Sequence, residues 1–336
     1  MTVAYQHFGI IGAGAWGTAL AATLCRAGRD VTVWSHNPAN VSDINGAHEN
    51  KRHLPGLILN QKIKATGDFA DIAKADVLLF ATPAQHLRRI ARELAAVKNI
   101  RADVPVIIAA KGIELHSSKF MSEILEEEMP KRATAILSGP SFAIEVAAGM
   151  PTALTLAVKD KMLGEKLAES LATPSFRPYL TDDIVGAQLG GAIKNVLAIA
   201  CGIVTGRELG ENARAALITR GLAEMMRLGQ SLGAKSETLM GLSGLGDVLL
   251  TCSSAQSRNM SLGIELGEGQ TLDAILQRRT SVAEGVPTAE AARSLAEKRK
   301  IDMPVVASVA AVLAGTVSID RAIADLLSRP LKTEMY

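Results

Sequence analysis

The chain has 336 residues, room for two domains of ordinary size. Hydrophobic residues make up 48% and charged residues 21%, which excludes a disordered or fibrous chain. Formal net charge is +2 and aromatics are 3%; with no basic stripe and few rings to stack on bases, no nucleic-acid partner is expected.

The opening MTVAYQHFGIIGAG has neither a basic start nor a small-residue cleavage site, so it does not read as a signal peptide. Phe8–Ile11 is the first predicted strand, and Gly12-Ala13-Gly14-Ala15-Trp16-Gly17 follows it directly. A GxGxxG alone is a weak signal. Between a strand and the predicted helix Thr18–Ala27 it has the context of a dinucleotide fingerprint. There the glycines let the backbone approach a pyrophosphate, and the helix N-terminus offers free N–H groups.

The second predicted strand, Val31–Trp34, ends in Ser35-His36-Asn37, with no carboxylate where a ribose 2′-hydroxyl would be bound. An acid there would repel a 2′-phosphate, whereas these three would accept one. The cofactor is therefore NAD or NADP, with NADP the expected preference.

Strands then alternate with helices: Val77–Ala81, Gln85–Ala96, Val106–Ala109, Lys119–Glu128, Ala135–Leu137 and Ala153–Val158. This alternation implies an α/β fold, a doubly wound parallel sheet covered on both faces. Lys111 follows a strand, at the carboxyl edge where such sheets bind ligands. Gly139-Pro140-Ser141 joins a strand to a predicted helix Phe142–Ala148, which Ser141 would cap.

After about Gly186 no further strands are predicted. Helical spacing runs through Ala187–Val204, Asn212–Leu232, Ser257–Leu266, Leu272–Arg278, Thr288–Lys298, Val305–Ala314 and Ile319–Leu327. The expected division is residues 1–185, a dinucleotide-binding domain, and residues 186–336, an all-helical substrate and catalytic domain. The apolar run 187–205 is about as long as a membrane span, but Gln188, Lys194 and Asn195 make it a buried helix, and no membrane anchor is expected.

Lys194 is the most informative single residue, because its neighbours are apolar or small on nearly every side. A lysine there must find a partner or shift toward neutrality, where it becomes a usable acid or base. Asp247 lies in a Gly-rich turn, and Ser257-Arg258-Asn259 opens a helix with a hydroxyl, a guanidinium fork and an amide, a set suited to phosphate. The cysteines Cys25, Cys201 and Cys252 have no CxxC spacing and the histidines no ligand spacing. Neither a disulfide framework nor a metal is indicated, and a reducing, cytoplasmic location is expected.

Together these segments resemble the bacterial NAD(P)-dependent glycerol-3-phosphate dehydrogenases. The resemblance is carried by GIIGAGAWGTALA (9–21), NKRHLPG (50–56), KGIE (111–114), SGPSFAIEVAAG (138–149), LGGAIKNVLAIACGI (189–203), GLSGLGDVLLTCSSAQSRN (241–259) and VAEGVPT (282–288). It implies a Rossmann-type, mostly parallel sheet followed by an all-α domain like that of 6-phosphogluconate dehydrogenase. It further implies that dihydroxyacetone phosphate is reduced to sn-glycerol 3-phosphate for phospholipid synthesis, by a homodimer.

By the same resemblance Gly12, Gly14, Ala15, Trp16, Gly17, His36, Lys111, Ala143, Arg258, Val282 and Glu284 belong to the cofactor. Ala15 stands where the family often has Ser, leaving only a backbone contact. Lys111, Gly139, Ser141, Lys194, Asp247, Ser257, Arg258 and Asn259 belong to the substrate, with Lys194 the proton acceptor and Lys111 and Asp247 its helpers. A related hydroxyacid dehydrogenase or ketopantoate reductase would not require the Ser257–Asn259 set together with Lys111 and Lys194. A non-catalytic cofactor sensor would be expected to lose Lys194 or Asp247.

Overall fold

A computed structural model of the chain describes residues 4–98, 100–279 and 282–330. Residues 1–3, where the leader reading begins, lie outside them. The structure forms two compact units. The first takes in the described residues up to Lys111 together with Phe120–Ala187, and the second Gly112–Lys119 together with the described residues from Gln188 on. The main division thus falls two residues beyond the expected one, inside the helix Ile184–Gly206. The short excursion Gly112–Lys119 is tied to its unit by Lys298 Nζ, which donates to Ser118 Oγ at 3.1 Å.

Among the described residues all strands lie in the first unit: β1 (His7–Ile11), β2 (Asp30–Trp34), β3 (Glu49–Asn50), β4 (Leu54–Ile58), β5 (Lys64–Thr66), β6 (Val77–Phe80), β7 (Val106–Ile108), β8 (Thr134–Ser138), β9 (Thr152–Val158) and β10 (Phe176–Thr181). Eight form one sheet in the order β10-β9-β8-β7-β6-β1-β2-β5, and β3 and β4 pair separately as a hairpin. Every pairing in the large sheet is parallel except β8 with β9.

Successive side chains of a strand face opposite sides, and the two cores show it. Phe8, Ile10, Val77 and Leu79 pack with Leu20 and Leu24 on one face, while Ile11, Leu78 and Phe80 pack with Leu87, Ile90 and Ile124 on the other. The six strands read from sequence are the interior ones. The edge strands β5 and β10 are additional, and their half-exposed residues, with Pro178 in β10, dilute the apolar signal.

Parallelism among β1, β2, β6, β7 and β8 brings the segments after each of them, including Gly12, Ser35, Lys111 and Gly139, to one edge of the sheet.

The second unit is helical. The helix Ile184–Gly206 is long and apolar enough to cross a membrane, but 83% of its apolar window is buried. It crosses the helix Arg258–Gly267 backbone to backbone: a Cβ on Gly202 would lie 2.2 Å from the Met260 carbonyl oxygen, and one on Gly263 2.1 Å from that of Ile199. Glycine at both positions is what lets the helices carrying Lys194 and Arg258 touch. Pro287 falls in the first turn of the helix Gly285–Arg299, which begins three residues before the expected Thr288.

Candidate active site

In the first unit the glycine loop is shaped by contacts that a side chain would break. Gly12 has φ +116°, and a Cβ there would lie 2.9 Å from the Ala81 carbonyl oxygen. Gly14 is different: nothing lies within 4 Å of a Cβ built on it, and it precedes the helix Ala15–Arg26 without any side-chain cap. The first-turn N–H groups of Ala15, Trp16 and Gly17 thus face an open cradle, the arrangement that suits a pyrophosphate. Trp16 Nε1 is buried with no hydrogen-bond partner among the described residues, a donor waiting for an acceptor. The residues present therefore fit a nicotinamide dinucleotide. Ala143 opens the helix Ala143–Ala147 and packs half-buried on the same core as Trp16.

At the end of β2 the three polar residues divide. Ser35 is buried, and its hydroxyl accepts from Asn37 N at 3.2 Å. The Asn37 side-chain oxygen caps the next helix, accepting from Ala39 N at 2.9 Å. His36 stays exposed beside Trp34, whose ring stacks on Phe69 at 4.3 Å.

On the same sheet edge Lys111 Nζ donates to the Gly139 carbonyl oxygen at 2.8 Å, and Ser141 Oγ donates to that oxygen at 3.0 Å. Ser141 is therefore not a helix cap, as the sequence suggested. The helix begins at Ala143 after Phe142, and the Ser141 hydroxyl closes the Gly139 turn instead.

In the second unit Lys194 finds its partner. Its Nζ lies 2.6 Å from Asp247 Oδ1 and 3.0 Å from Thr251 Oγ1, and the Thr251 hydroxyl also reaches Asp247 Oδ1 at 3.3 Å. The lysine side chain is 12% exposed and the aspartate 0%. Asp247 does not sit in a loose turn: it begins the helix Asp247–Cys252, which places Thr251 one turn on, over the same oxygen. Sequence reading missed Thr251, though its i+4 spacing from Asp247 carried the signal. Cys252, next along, is hydrogen-bonded to Cys201 and buried, which together push its thiol well above the ordinary cysteine range.

Ser257 caps the helix Arg258–Gly267, accepting from Met260 N at 3.2 Å. Arg258 is solvent-accessible, but enough protein surrounds it that desolvation lowers its guanidinium from the ordinary value, against the opposing pull of the Glu284 carboxylate. Asn259 is buried: it donates to Asn195 Oδ1 at 2.9 Å and accepts from Gly285 N at 3.0 Å. It thereby ties the helix of Lys194 to the start of the helix that follows Glu284. Val282 lies half-exposed just before it. Among the described residues no group of His, Cys, Asp or Glu could hold a metal ion.

A uncapped glycine cradle in one unit and a buried lysine–carboxylate pair in the other narrow the chemistry, and sequence comparison names it. The family models described as NAD-dependent glycerol-3-phosphate dehydrogenase N-terminus and C-terminus match residues 7–164 and 183–324. The chain belongs to that family. It is 52% identical over 334 residues to a glycerol-3-phosphate dehydrogenase [NAD(P)+] of Parvibaculum lavamentivorans, covering 99% of this chain and 100% of that one. The protein of the same description from Caulobacter vibrioides is 53% identical, over 98% and 99% of the two chains.

Among solved structures, glycerol-3-phosphate dehydrogenase from Coxiella burnetii superposes with a TM-score of 0.92 at 38% identity, over 97% and 99% of the chains. A ketopantoate reductase from Ralstonia eutropha has a TM-score of 0.61 at 16% identity, over 92% and 97%, a likeness of fold alone. The family and its fold are thus those that the sequence motifs implied.

Proposed function

We propose that the chain catalyses the reversible, NAD(P)H-dependent reduction of dihydroxyacetone phosphate to sn-glycerol 3-phosphate, the backbone precursor for phospholipids. The observation that carries the chemistry is the Lys194–Asp247 contact of 2.6 Å with both groups nearly excluded from water. A nicotinamide coenzyme held by the glycine loop would, when bound, supply or accept the hydride at C2. Lys194, as an ammonium, gives its proton to the carbonyl oxygen in reduction and takes it back in oxidation.

Asp247 holds that ammonium in place and balances its charge, and Thr251 takes a second N–H of Nζ, leaving the third for the substrate carbonyl. Arg258 and the helix N-terminus opened by Ser257 take the substrate phosphate, with Asn259 bracing their helix. Lys111, Gly139 and Ser141 belong to the substrate set on the same reading, and the carbonyl oxygen of Gly139 is the point that aligns the other two.

The absence of a carboxylate at Ser35–Asn37 supports use of both coenzymes, with NADPH preferred. Free Cys25, Cys201 and Cys252 suit a cytoplasmic location. A homodimer completes the reading. In its support, the helix Glu211–Ser231 leaves Ala215 and Ala216 exposed and Leu217 and Ile218 half-exposed over its first turns.

The test is nicotinamide absorbance with dihydroxyacetone phosphate and either NADPH or NADH. Turnover is expected with both, and is expected to fall by orders of magnitude in Lys194→Ala with coenzyme binding kept. Coenzyme binding without turnover in the wild type would overturn the substrate assignment.

A further inference from the structure

The glycine cradle does not stand alone. Asn50, only 1% exposed, closes β3, and its side chain is fully committed to the loop it faces. Its amide donates to the Ala13 carbonyl oxygen at 2.8 Å and to Thr18 Oγ1 at 2.7 Å, and its carbonyl oxygen accepts from His53 N at 3.2 Å. One buried side chain therefore locks the turn after β3 to the middle of the glycine loop and to the helix behind it.

That turn carries Lys51 and Arg52, both exposed. Lys51 Nζ lies 3.6 Å from Asp43 Oδ1, whereas Arg52 has no ion-pair partner among the described residues. The end of β2, where a cation for a 2′-phosphate would be sought, offers only Ser35, His36 and Asn37. Arg52 thus lies two residues beyond the side chain that fastens this turn to the cradle.

We propose that the Asn50–His53 turn is a second arm of the dinucleotide site, in which Asn50 is the positioning residue for the glycine loop and Arg52 supplies the guanidinium for a phosphate of the coenzyme. The inference rests on the coenzyme reading above. A planar guanidinium on a turn tied to that cradle suits either the pyrophosphate or the 2′-phosphate of NADP, since each offers anionic phosphate oxygens to paired N–H donors.

Coenzyme binding can be read without turnover, because the chain's two tryptophans, Trp16 and Trp34, flank the cradle and the end of β2. Quenching of their fluorescence is titrated with NADPH and with NADH on the full chain. Arg52→Ala, an exposed substitution, is expected to raise Kd about tenfold or more, the ordinary cost of losing a hydrogen bond to a charged group. A rise for NADPH alone assigns Arg52 to the 2′-phosphate; a rise for both assigns it to the pyrophosphate. Unchanged Kd for both overturns the role of Arg52.

Asn50→Ala is expected to weaken both coenzymes while the KM for dihydroxyacetone phosphate moves less. A lowered melting temperature with unchanged coenzyme Kd would make Asn50 merely structural and overturn its positioning role. If the wild type bound neither coenzyme, the coenzyme reading itself would fail, a result distinct from either.

Discussion

Replacing Asp247 by Leu tests whether the Lys194 pair is a structural load or a catalytic device. Asp247 is 0% and Lys194 12% exposed, with 2.6 Å between them, so neither charge has water to fall back on. Removing one member of such a buried pair typically costs about 3–5 kcal/mol, because the other is left uncompensated. Thr251 Oγ1, at 3.0 Å, is a neutral dipole and offsets only part of that. At about 2–4 °C per kcal/mol, Asp247→Leu and Lys194→Met should each lower Tm by about 6 °C or more.

The double variant Lys194→Met/Asp247→Leu should recover most of that loss, since an apolar pair of similar volume carries no desolvation penalty. Turnover should behave oppositely. It should fall by about 10²–10⁴-fold wherever Lys194 is absent, the usual contribution of a positioned acid, and should not return in the double variant. Thermal unfolding and NADPH oxidation on the same three proteins give both readings. Additive Tm losses in the double variant, or activity restored alongside stability, would refute the reasoning.

Three further outcomes follow from other parts of the molecule. His36→Asp sets a carboxylate at the exposed end of β2 and should raise Kd for NADPH at least about tenfold, about 1.4 kcal/mol, with NADH much less affected; equal changes for both would count against that position. Glu224, 1% exposed and bonded to Val305 N and Val306 N, is pushed by burial from 4.5 to about 7. Its stabilising contribution is therefore complete below about pH 4.5 and lost as pH rises through about 7, roughly 3 kcal/mol at most, and urea unfolding should show that slope flattened in Glu224→Gln. Gly263→Ala drives a methyl to 2.1 Å from the Ile199 carbonyl oxygen and should cost about 1–3 kcal/mol or more, which a melting curve indistinguishable from wild type would contradict.

The sequence made the interior of the sheet legible because strands buried on both faces are unbroken apolar runs: Val77–Phe80 admits no other reading once Gly12 and its helix are placed. β10 was not legible, since Arg177, Pro178 and an exposed Tyr179 erase the pattern at a sheet edge. The same contrast holds in the site. Lys194 stood out by its apolar setting, yet that setting could not say which acid would meet it, because Asp247 is 53 residues away in sequence.

Asn259 shows the reverse limit. A helix-opening Ser-Arg-Asn reads as a phosphate cradle from residue types alone, and only packing reveals that the amide also donates to Asn195 and accepts from Gly285. Asn50 belongs to the same class: a polar residue in a turn-rich motif, whose burial against Ala13 no local pattern encodes.

The crossing at Gly202 and Gly263 bears on how such an enzyme can diverge. With main chain against main chain at this crossing, no side chain intervenes there between the helix of Lys194 and the helix of Arg258. Their separation is set by peptide geometry, which mutation elsewhere does not rescale. Aliphatic residues around the crossing can change in size without altering the distance between the two helix axes there, whereas any side chain at 202 or 263 would force them apart.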